Sequence, residues 1–283
     1  MKEALYYEKL GSGIVRCRLC PHECVIAEDK KGNCGVRQNK DGTLYSLVYG
    51  KTTGIALDPI EKKPLYHYHP GESILSLGTK GCNFHCDFCQ NWHISQVLDA
   101  PADDITPEEV IGKAKALGSF GIAYTYNEPF IWYEFVLDTA KLAKKSGLEN
   151  VLVTNGFVNT APLEEMLPFI GAMNIDLKSM NQEFYKKVCK GSLKPVLGAI
   201  KRSAKSCHIE LTMLLIPTLN DSEDEIEKLV DWIYENLGPD VPLHFSRYFP
   251  CYRMALPPTP VETLEKAGMI AKKKLKYVHL GNV

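Results

Sequence analysis

The sequence predicts an α/β fold, a partial (β/α)6 TIM-type barrel with a small Cys-rich N-terminal subdomain. Three observations predict it. From Ser73 onward, short aliphatic runs alternate with amphipathic helical stretches, the pattern of a parallel sheet with external helices. Before about residue 70 the chain is instead rich in turns and short alternating runs. The length of 283 residues exceeds the roughly 200–250 residues of one α/β barrel by enough for something small. The expected division is 1–70 for the N-terminal subdomain and 71–283 for the barrel.

In the N-terminal part, Leu44–Tyr49 follows Asp41-Gly42 and reads as one arm of a hairpin. Beyond it, the expected strands are Ile74–Gly78, Ile122–Tyr126, Val151–Thr154, Met173–Leu177, Glu210–Ile216, Leu243–Tyr248 and Tyr277–Leu280. Between them, Thr106-Pro107-Glu108-Glu109 is a capping box with proline at the first helical position, opening a helix towards Gly118. Thr259-Pro260-Val261-Glu262 repeats that signature before the last helix. Phe130–Ser146 is amphipathic and stops at Gly147, a C-cap glycine. Asp221–Asn236 is a further periodic helix, with Ser222 and Glu225 spaced for capping. Six or seven strand–helix units fit a barrel or partial barrel. Periodicity alone leaves a doubly wound open sheet as the alternative, although no dinucleotide fingerprint or Walker motif favours it.

Composition narrows the function classes. Lys plus Arg is 33 and Asp plus Glu 34, for a net charge of −1, and 45% of residues are hydrophobic. These values exclude disorder and give no reason to expect nucleic-acid binding. The longest uncharged run, Asn150–Leu163, contains Asn, Thr and Gly and cannot span a bilayer. Met1–Leu5 lacks the apolar core of a signal peptide, so the expected location is the cytoplasm.

Cysteine carries the chemistry. Of ten cysteines, seven fall in two clusters within the first 89 residues. In a cytoplasmic chain of this size, clustered cysteines point to metal rather than to a disulfide framework. Cys82-x3-Cys86-x2-Cys89 follows the first expected barrel strand, and strand C-termini are where barrels place their active sites. Three thiolates can hold three corners of a [4Fe–4S] cluster and leave the fourth iron open. An open iron takes nitrogen and oxygen ligands, which the amino and carboxylate groups of S-adenosylmethionine supply. The competing reading is a zinc site completed by His85 or His93. The earlier cluster, Cys17-x2-Cys20-x3-Cys24-x9-Cys34, supplies four thiolates on turns. Zinc and a second iron–sulfur cluster both fit that spacing, and a redox disulfide set is the alternative.

The Cys82, Cys86, Cys89 motif, with aromatic Phe88 before the last cysteine, resembles that of the radical S-adenosylmethionine superfamily. The wider likeness is to its pyruvate formate-lyase-activating-enzyme-like branch. The closer one is to the AmmeMemoRadiSam-system subgroup. That closer likeness is carried by Cys17-Arg18-Leu19-Cys20-Pro21, Gly32-Asn33-Cys34-Gly35-Val36-Arg37, Asp58–Leu65 and Cys89-Gln90-Asn91-Trp92. Relatives of this kind continue past the Gly281-Asn282 stretch into a Cys-containing tail, whereas this sequence stops at Val283. The resemblance implies that a reduced [4Fe–4S] cluster cleaves S-adenosylmethionine to a 5′-deoxyadenosyl radical, which abstracts hydrogen from a substrate.

The later strand ends supply cofactor candidates. Thr125-Tyr126-Asn127-Glu128-Pro129 is similar to the family's Gly-Gly-Glu-Pro element, which receives the amino group of S-adenosylmethionine, with Tyr126-Asn127 in place of the glycines. The structural alternative is a helix N-terminus, where Glu128 favours the dipole. Thr154 and Asn155 end the third strand with small polar groups. Asp176 and Lys178 share a face at the end of the fourth, where Lys178 suits a carboxylate, or the two form a plain salt bridge. Val153 stands where activating enzymes carry an acid, which argues against a monovalent-cation site of that type. By resemblance Ile216 packs against adenine; core packing is the alternative. His244 and Ser246 share a face and line a substrate cavity, or His244 is a satisfied core group. His67 and His69 read as structural.

The expected protein is therefore a radical S-adenosylmethionine oxidoreductase. Its partners would be an electron donor such as flavodoxin or ferredoxin, and a protein substrate, small molecule or Memo-like protein; neither nucleic acid nor membrane is among them. A non-catalytic iron–sulfur, zinc or electron-transfer module is the competing reading. A zinc hydrolase is a distant third, since the sequence has no His-Glu-x-x-His.

Overall fold

A computed structural model describes residues 1–283. Eight strands form one sheet: β1 (Gly54–Pro59), β2 (Ser73–Gly78), β3 (Gly121–Tyr124), β4 (Glu149–Thr154), β5 (Ala172–Asp176), β6 (His208–Leu215), β7 (Leu243–Arg247) and β8 (Val278–Gly281). Their spatial order follows the chain from β1 to β8 without reversal. A doubly wound sheet reverses its order at a switch point, so the sequential order decides for the barrel. From β2 to β8 every pairing is parallel, and only β1 runs antiparallel to its neighbour. Right-handed crossovers in one direction put all the connecting helices on one face. These helices are α1 (Pro107–Ala116), α2 (Tyr133–Lys145), α3 (Thr160–Met166), α4 (Leu193–Ser203), α5 (Glu223–Leu237) and α6 (Val261–Ala271). The structure is a partial TIM-type barrel.

The expected strands all form, within a few residues of their expected bounds. Strand β1 was not anticipated. Its ends are Gly and Pro and most of its residues are exposed, so it carries neither alternation nor a buried run. It also places residues 54–59 in the large sheet, so the division expected at residue 70 does not coincide with the sheet edge.

The first 46 residues form two three-stranded antiparallel sheets. Asp41-Gly42 joins Arg37–Lys40 to Thr43–Ser46, and both turn residues have positive φ, as a tight hairpin requires. Buried residues of these sheets, Val15, Ile26 and Leu44 among them, belong to the same apolar core as the barrel. The fully buried Arg37–Glu134 ion pair ties the hairpin to α2.

Helix ends follow local chemistry. Thr106 Oγ1 accepts from Glu109 N at 3.2 Å and Glu109 Oε2 from Thr106 N at 2.7 Å, completing the capping box. Ser222 caps α5, but Glu225 turns to the Met180 amide (2.6 Å) rather than back to the cap. The capping signature at Thr259 fails. Thr259 Oγ1 donates to Leu215 O at 2.6 Å and accepts from Tyr248 N at 3.2 Å, which leaves α6 without a side-chain cap. No helix is long and apolar enough to cross a membrane.

The sheet edges, β1 and β8, are not paired to each other. The segment between β1 and β2 reaches across the starts of the far strands. Asn174 Nδ2 donates to Pro64 O (2.8 Å), and His67 N donates to Glu210 Oε1 (2.7 Å). The Nε2 atoms of His67 and His279 lie 2.9 Å apart. His69 stacks on Phe120 at 4.4 Å, so both histidines take structural places.

Candidate active site

A cavity of about 790 Å³ lies at the C-terminal ends of the parallel strands. The loop after β2 brings Cys82, Cys86 and Cys89 to its wall, together with Phe88. Many backbone bonds hold this loop. Gly81 N donates to Ile94 O (2.9 Å), His85 N to Cys189 O (3.0 Å) and Asp87 N to Val188 O (3.1 Å). Cys89 Sγ lies 3.1 Å from Ser95 Oγ, and Phe84 N donates to Cys82 Sγ at 3.4 Å.

Neither histidine suits a zinc site here. Both ring nitrogens of His85 are engaged, Nδ1 with Gln96 Oε1 at 2.5 Å and Nε2 with Asn33 O at 3.0 Å. His93 is exposed and does not line the cavity. A [4Fe–4S] cluster takes each thiolate on a different iron. Three free thiols spread over one cavity wall fit that demand.

Asn127, Glu128, Thr154, Asn155, Asp176 and Lys178 all line the same cavity. Their bonds give several of them a structural task. Asn127 Oδ1 accepts from Thr79 N (3.1 Å) and its Nδ2 donates to Gly81 O (2.8 Å), which pins the start of the cysteine loop. Glu128 caps the short 3-10 turn Pro129–Trp132, accepting from Phe130 N at 3.0 Å. It also accepts from Thr154 Oγ1 (2.7 Å) and Asn155 N (2.8 Å), so the helix-terminus role is realised inside the cavity wall. Burial pushes the Glu128 carboxyl up to about 7, against the pull of these three donors. Asn155 Nδ2 reaches Asn83 Oδ1 at 2.9 Å.

Lys178 Nζ lies 2.8 Å from Asp176 Oδ2 and over the Phe88 ring at 5.7 Å. Burial works against its charge. Asp176 and then the Cys86 thiol outweigh it, and the ammonium is held well above its ordinary range. Cys86 is lowered, first by the neighbouring Cys189 thiol and, after the opposing effect of burial, by Lys178.

Two expectations need adjustment. Ile216 is fully buried and is not part of the cavity wall, where Leu214 appears instead. Side chains alternate along β6, so Leu214 and Thr212 face inward. His244 is both things at once: it lines the cavity and its Nε2 bonds Glu210 Oε2 at 2.6 Å.

Sequence reasoning missed the Asp58–Lys63–Tyr126 group. Lys63 Nζ is 2.9 Å from Asp58 Oδ2, Tyr126 OH donates to the same oxygen at 3.0 Å, and the Lys63 ammonium sits 4.9 Å from the Tyr126 ring. Burial would raise Asp58, but bonds from Lys63 and Lys62 hold it down at about 2. Tyr126 adopts φ +71°, the left-handed backbone that a glycine takes without strain. The signal was present in Asp58–Leu65, quoted only as a marker of likeness. Cys189, on the turn Tyr185–Cys189, lies outside both sequence clusters yet adjoins Cys86.

Comparison with known proteins identifies the family. Residues 76–233 match the radical SAM superfamily. An uncharacterized protein of Methanocaldococcus jannaschii, MJ0808, is 46% identical over the whole of this chain and 86% of its own length. The pyruvate formate-lyase-activating enzyme of Clostridium pasteurianum is 24% identical over 54% of this chain and 66% of its own. The crystal structure of a radical SAM methyltransferase from Sphaerobacter thermophilus superposes with a TM-score of 0.58 at 16% identity, covering 75% of this chain and 67% of that one. That likeness supports the fold. With the family match spanning the cysteine loop and most of the strands around the cavity, this chain belongs to the radical SAM superfamily.

Proposed function

We propose that the chain is a radical S-adenosylmethionine enzyme of activating-enzyme type, an oxidoreductase acting on a protein substrate. One observation carries the proposal. The three thiols and the strand-end groups Glu128, Thr154, Asn155, Asp176 and Lys178 all line one cavity. Membership of the superfamily implies a [4Fe–4S] cluster and S-adenosylmethionine as cofactors. Cys82, Cys86 and Cys89 would hold the cluster. The chemistry it supplies when bound is one-electron cleavage of the sulfonium, which lets the adenosyl fragment take a hydrogen atom from the substrate.

The chain's own residues then bind, orient and exclude water. Lys178, fixed by Asp176, presents an ammonium for the cofactor's carboxylate. Glu128 holds the β3 and β4 loops together and supplies negative charge towards the cofactor's amino group. Asn127 and Asn155 keep the cysteine loop in register with those loops. Buried Phe84 and Phe88 make the wall behind the thiols apolar and dry. His244 and Ser246, at the far wall, face the substrate.

The finer placement in the AmmeMemoRadiSam subgroup draws support from the stretches that suggested it. Asp58 and Lys63 bond at the cavity, and Cys34 packs on Gly81. The relative's name, an activating enzyme of another enzyme, favours a protein substrate. The electron donor we propose is a one-electron carrier of the ferredoxin or flavodoxin class. Ten free thiols suit a reducing compartment such as the cytoplasm.

The test is anaerobic reconstitution with iron and sulfide, reduction, addition of S-adenosylmethionine and quantification of 5′-deoxyadenosine. The wild type is expected to form it and Cys86→Ala to form none. A loaded, reduced wild type that forms none would refute the proposal.

A further inference from the structure

Behind the far wall of the cavity, polar groups from four elements converge on one carboxylate. Glu210 of β6 is fully buried. Its Oε1 accepts from His67 N at 2.7 Å and lies 3.0 Å from His208 Nε2. Its Oε2 lies 2.6 Å from His244 Nε2. Burial would raise this carboxyl, but bonds from His208, His244 and the amides of His67 and Tyr66 hold it down at about 2. Glu210 is therefore an anion at neutral pH, and an ionised carboxylate only accepts. His244 Nε2 must then carry a proton.

The second nitrogen of His244 is placed differently. Across the sheet the residue pairs with Thr212 on β6 and His279 on β8. Its ring lies 4.9 Å from that of His279, at 28°, and 4.8 Å from Tyr66, edge to face. The bond to Glu210 is its only hydrogen bond, so Nδ1 has no partner. Nor is Nδ1 shut inside the protein, since the ring lines the cavity beside Thr212 and Ser246. A histidine that serves packing alone bonds through both nitrogens, as His85 does. His244 leaves one open on the side where substrate enters.

The charge of the ring decides whether Nδ1 donates or accepts. The titratable groups around it are Glu210 and His208 on β6, His279 on β8, and Tyr66 and His67 on the segment between β1 and β2. Glu210 is a single negative charge shared by two imidazoles. His208, with its side chain 28% exposed, is the one that water solvates as a cation. His67 and His279 meet Nε2 to Nε2 at 2.9 Å, so one of those two nitrogens keeps a lone pair. Burial, and then His244 and His67, push His279 below its ordinary range. A positive charge on His244 would be stacked on His279 with no anion of its own. These constraints favour a neutral ring.

We infer that Glu210 fixes His244 with its proton on Nε2, and that the Nδ1 lone pair accepts a hydrogen bond from an N–H or O–H of the substrate. That contact orients the carbon that gives up its hydrogen. It is a hydrogen bond only: no covalent bond changes and no proton is transferred. His244 touches substrate, whereas Glu210, which does not line the cavity, is a positioning residue. The pair stands on its own bonds; the substrate contact rests on the function proposed above.

Nitrogen-15 NMR of histidine-labelled protein at neutral pH tests it, with the His244 signals assigned by their loss in His244→Phe. The wild-type ring should be protonated on Nε2 alone. Glu210→Gln keeps an oxygen for the His67 amide and His208 but turns an N–H towards His244, so the proton should move to Nδ1. Molar acetamide or ethanediol should shift the wild-type Nδ1 signal, and N,N-dimethylacetamide, which has no donor, should not. A response to acetamide alone fits the backbone amide of a protein substrate, and one to ethanediol alone fits an alcohol. A wild-type ring protonated on Nδ1 or on both nitrogens overturns the inference. So does an Nδ1 signal that ignores both donors, or a folded Glu210→Gln in which the proton stays on Nε2. Should Glu210→Gln not fold, the wild-type tautomer and the two donors decide. None of these measurements needs the cluster, so their failure leaves the enzyme reading intact. A reconstituted wild type that forms no 5′-deoxyadenosine sinks that reading and leaves the pair standing.

Discussion

Glu128 is the most confined acid of the cavity. Both oxygens are engaged by donors from three residues, and burial still raises its carboxyl from 4.5 to about 7. The unfolded chain releases this proton near the ordinary value, whereas the folded chain holds it longer. Over that interval the unfolded state binds fewer protons, so stability falls as pH rises from about 4.5 through about 7 and then levels off. The loss is on the order of 3 kcal/mol. Glu128→Gln should flatten this slope, seen as a smaller drop in denaturant midpoint between pH 5 and 7.5. Equal drops in the two proteins would show that Glu128 does not titrate there. At this scale the cysteine loop was legible as three thiols on one wall of the cavity, because spacing alone keeps them together. Asn127 lines the cavity and also has a structural task that its position in the sequence did not show. Spacing puts it at a strand end and cannot say that its amide turns back to Thr79 and Gly81.

The catalytic loop depends on close approach as much as on its thiols. Gly81 has φ +91°, and an added Cβ would meet both Cys34 O and the Val36 side chain at 2.7 Å. Gly81→Ala is expected to destabilise the protein by about 2 kcal/mol, from the left-handed backbone together with the clash. Thermal melting and iron content check it, and an unchanged melt would mean that the two cysteine segments are not in contact. Elements with strong local signals were readable: the Asp41-Gly42 hairpin, the Thr106 box and the strands from β2 onward. Strand β1 was not, since an exposed edge strand is specified by its neighbour rather than by its own pattern. Thr259 was misread because its hydroxyl serves β6 and the loop after β7, a contact of 44 residues' separation.

The whole molecule joins its parts through buried charge. Arg37 of the hairpin and Glu134 of α2 pair inside the shared core, and Leu5 bonds both of them. Arg37→Met leaves the Glu134 carboxylate buried and unpaired, which costs about 3–5 kcal/mol. Arg37→Met/Glu134→Leu should recover much of that loss in denaturant unfolding. A double variant no more stable than the single one would show that the pair is not the coupling. The barrel was legible as a class, from six or seven strand–helix units. Its distinction from a doubly wound sheet was not, because strand order is a long-range property that periodicity does not carry. The likeness of the cysteine loop to the radical SAM superfamily supplied the rest, and the family match agrees with it at that level.

The central claim is that Cys82, Cys86 and Cys89 hold a cluster whose remaining iron faces the cavity and takes S-adenosylmethionine. Its most direct test is the EPR spectrum of the reconstituted, reduced protein with and without S-adenosylmethionine. The spectrum should change on addition in the wild type, and the change should vanish in Cys86→Ala. A fully loaded, reduced wild type with identical spectra in both conditions would contradict the claim.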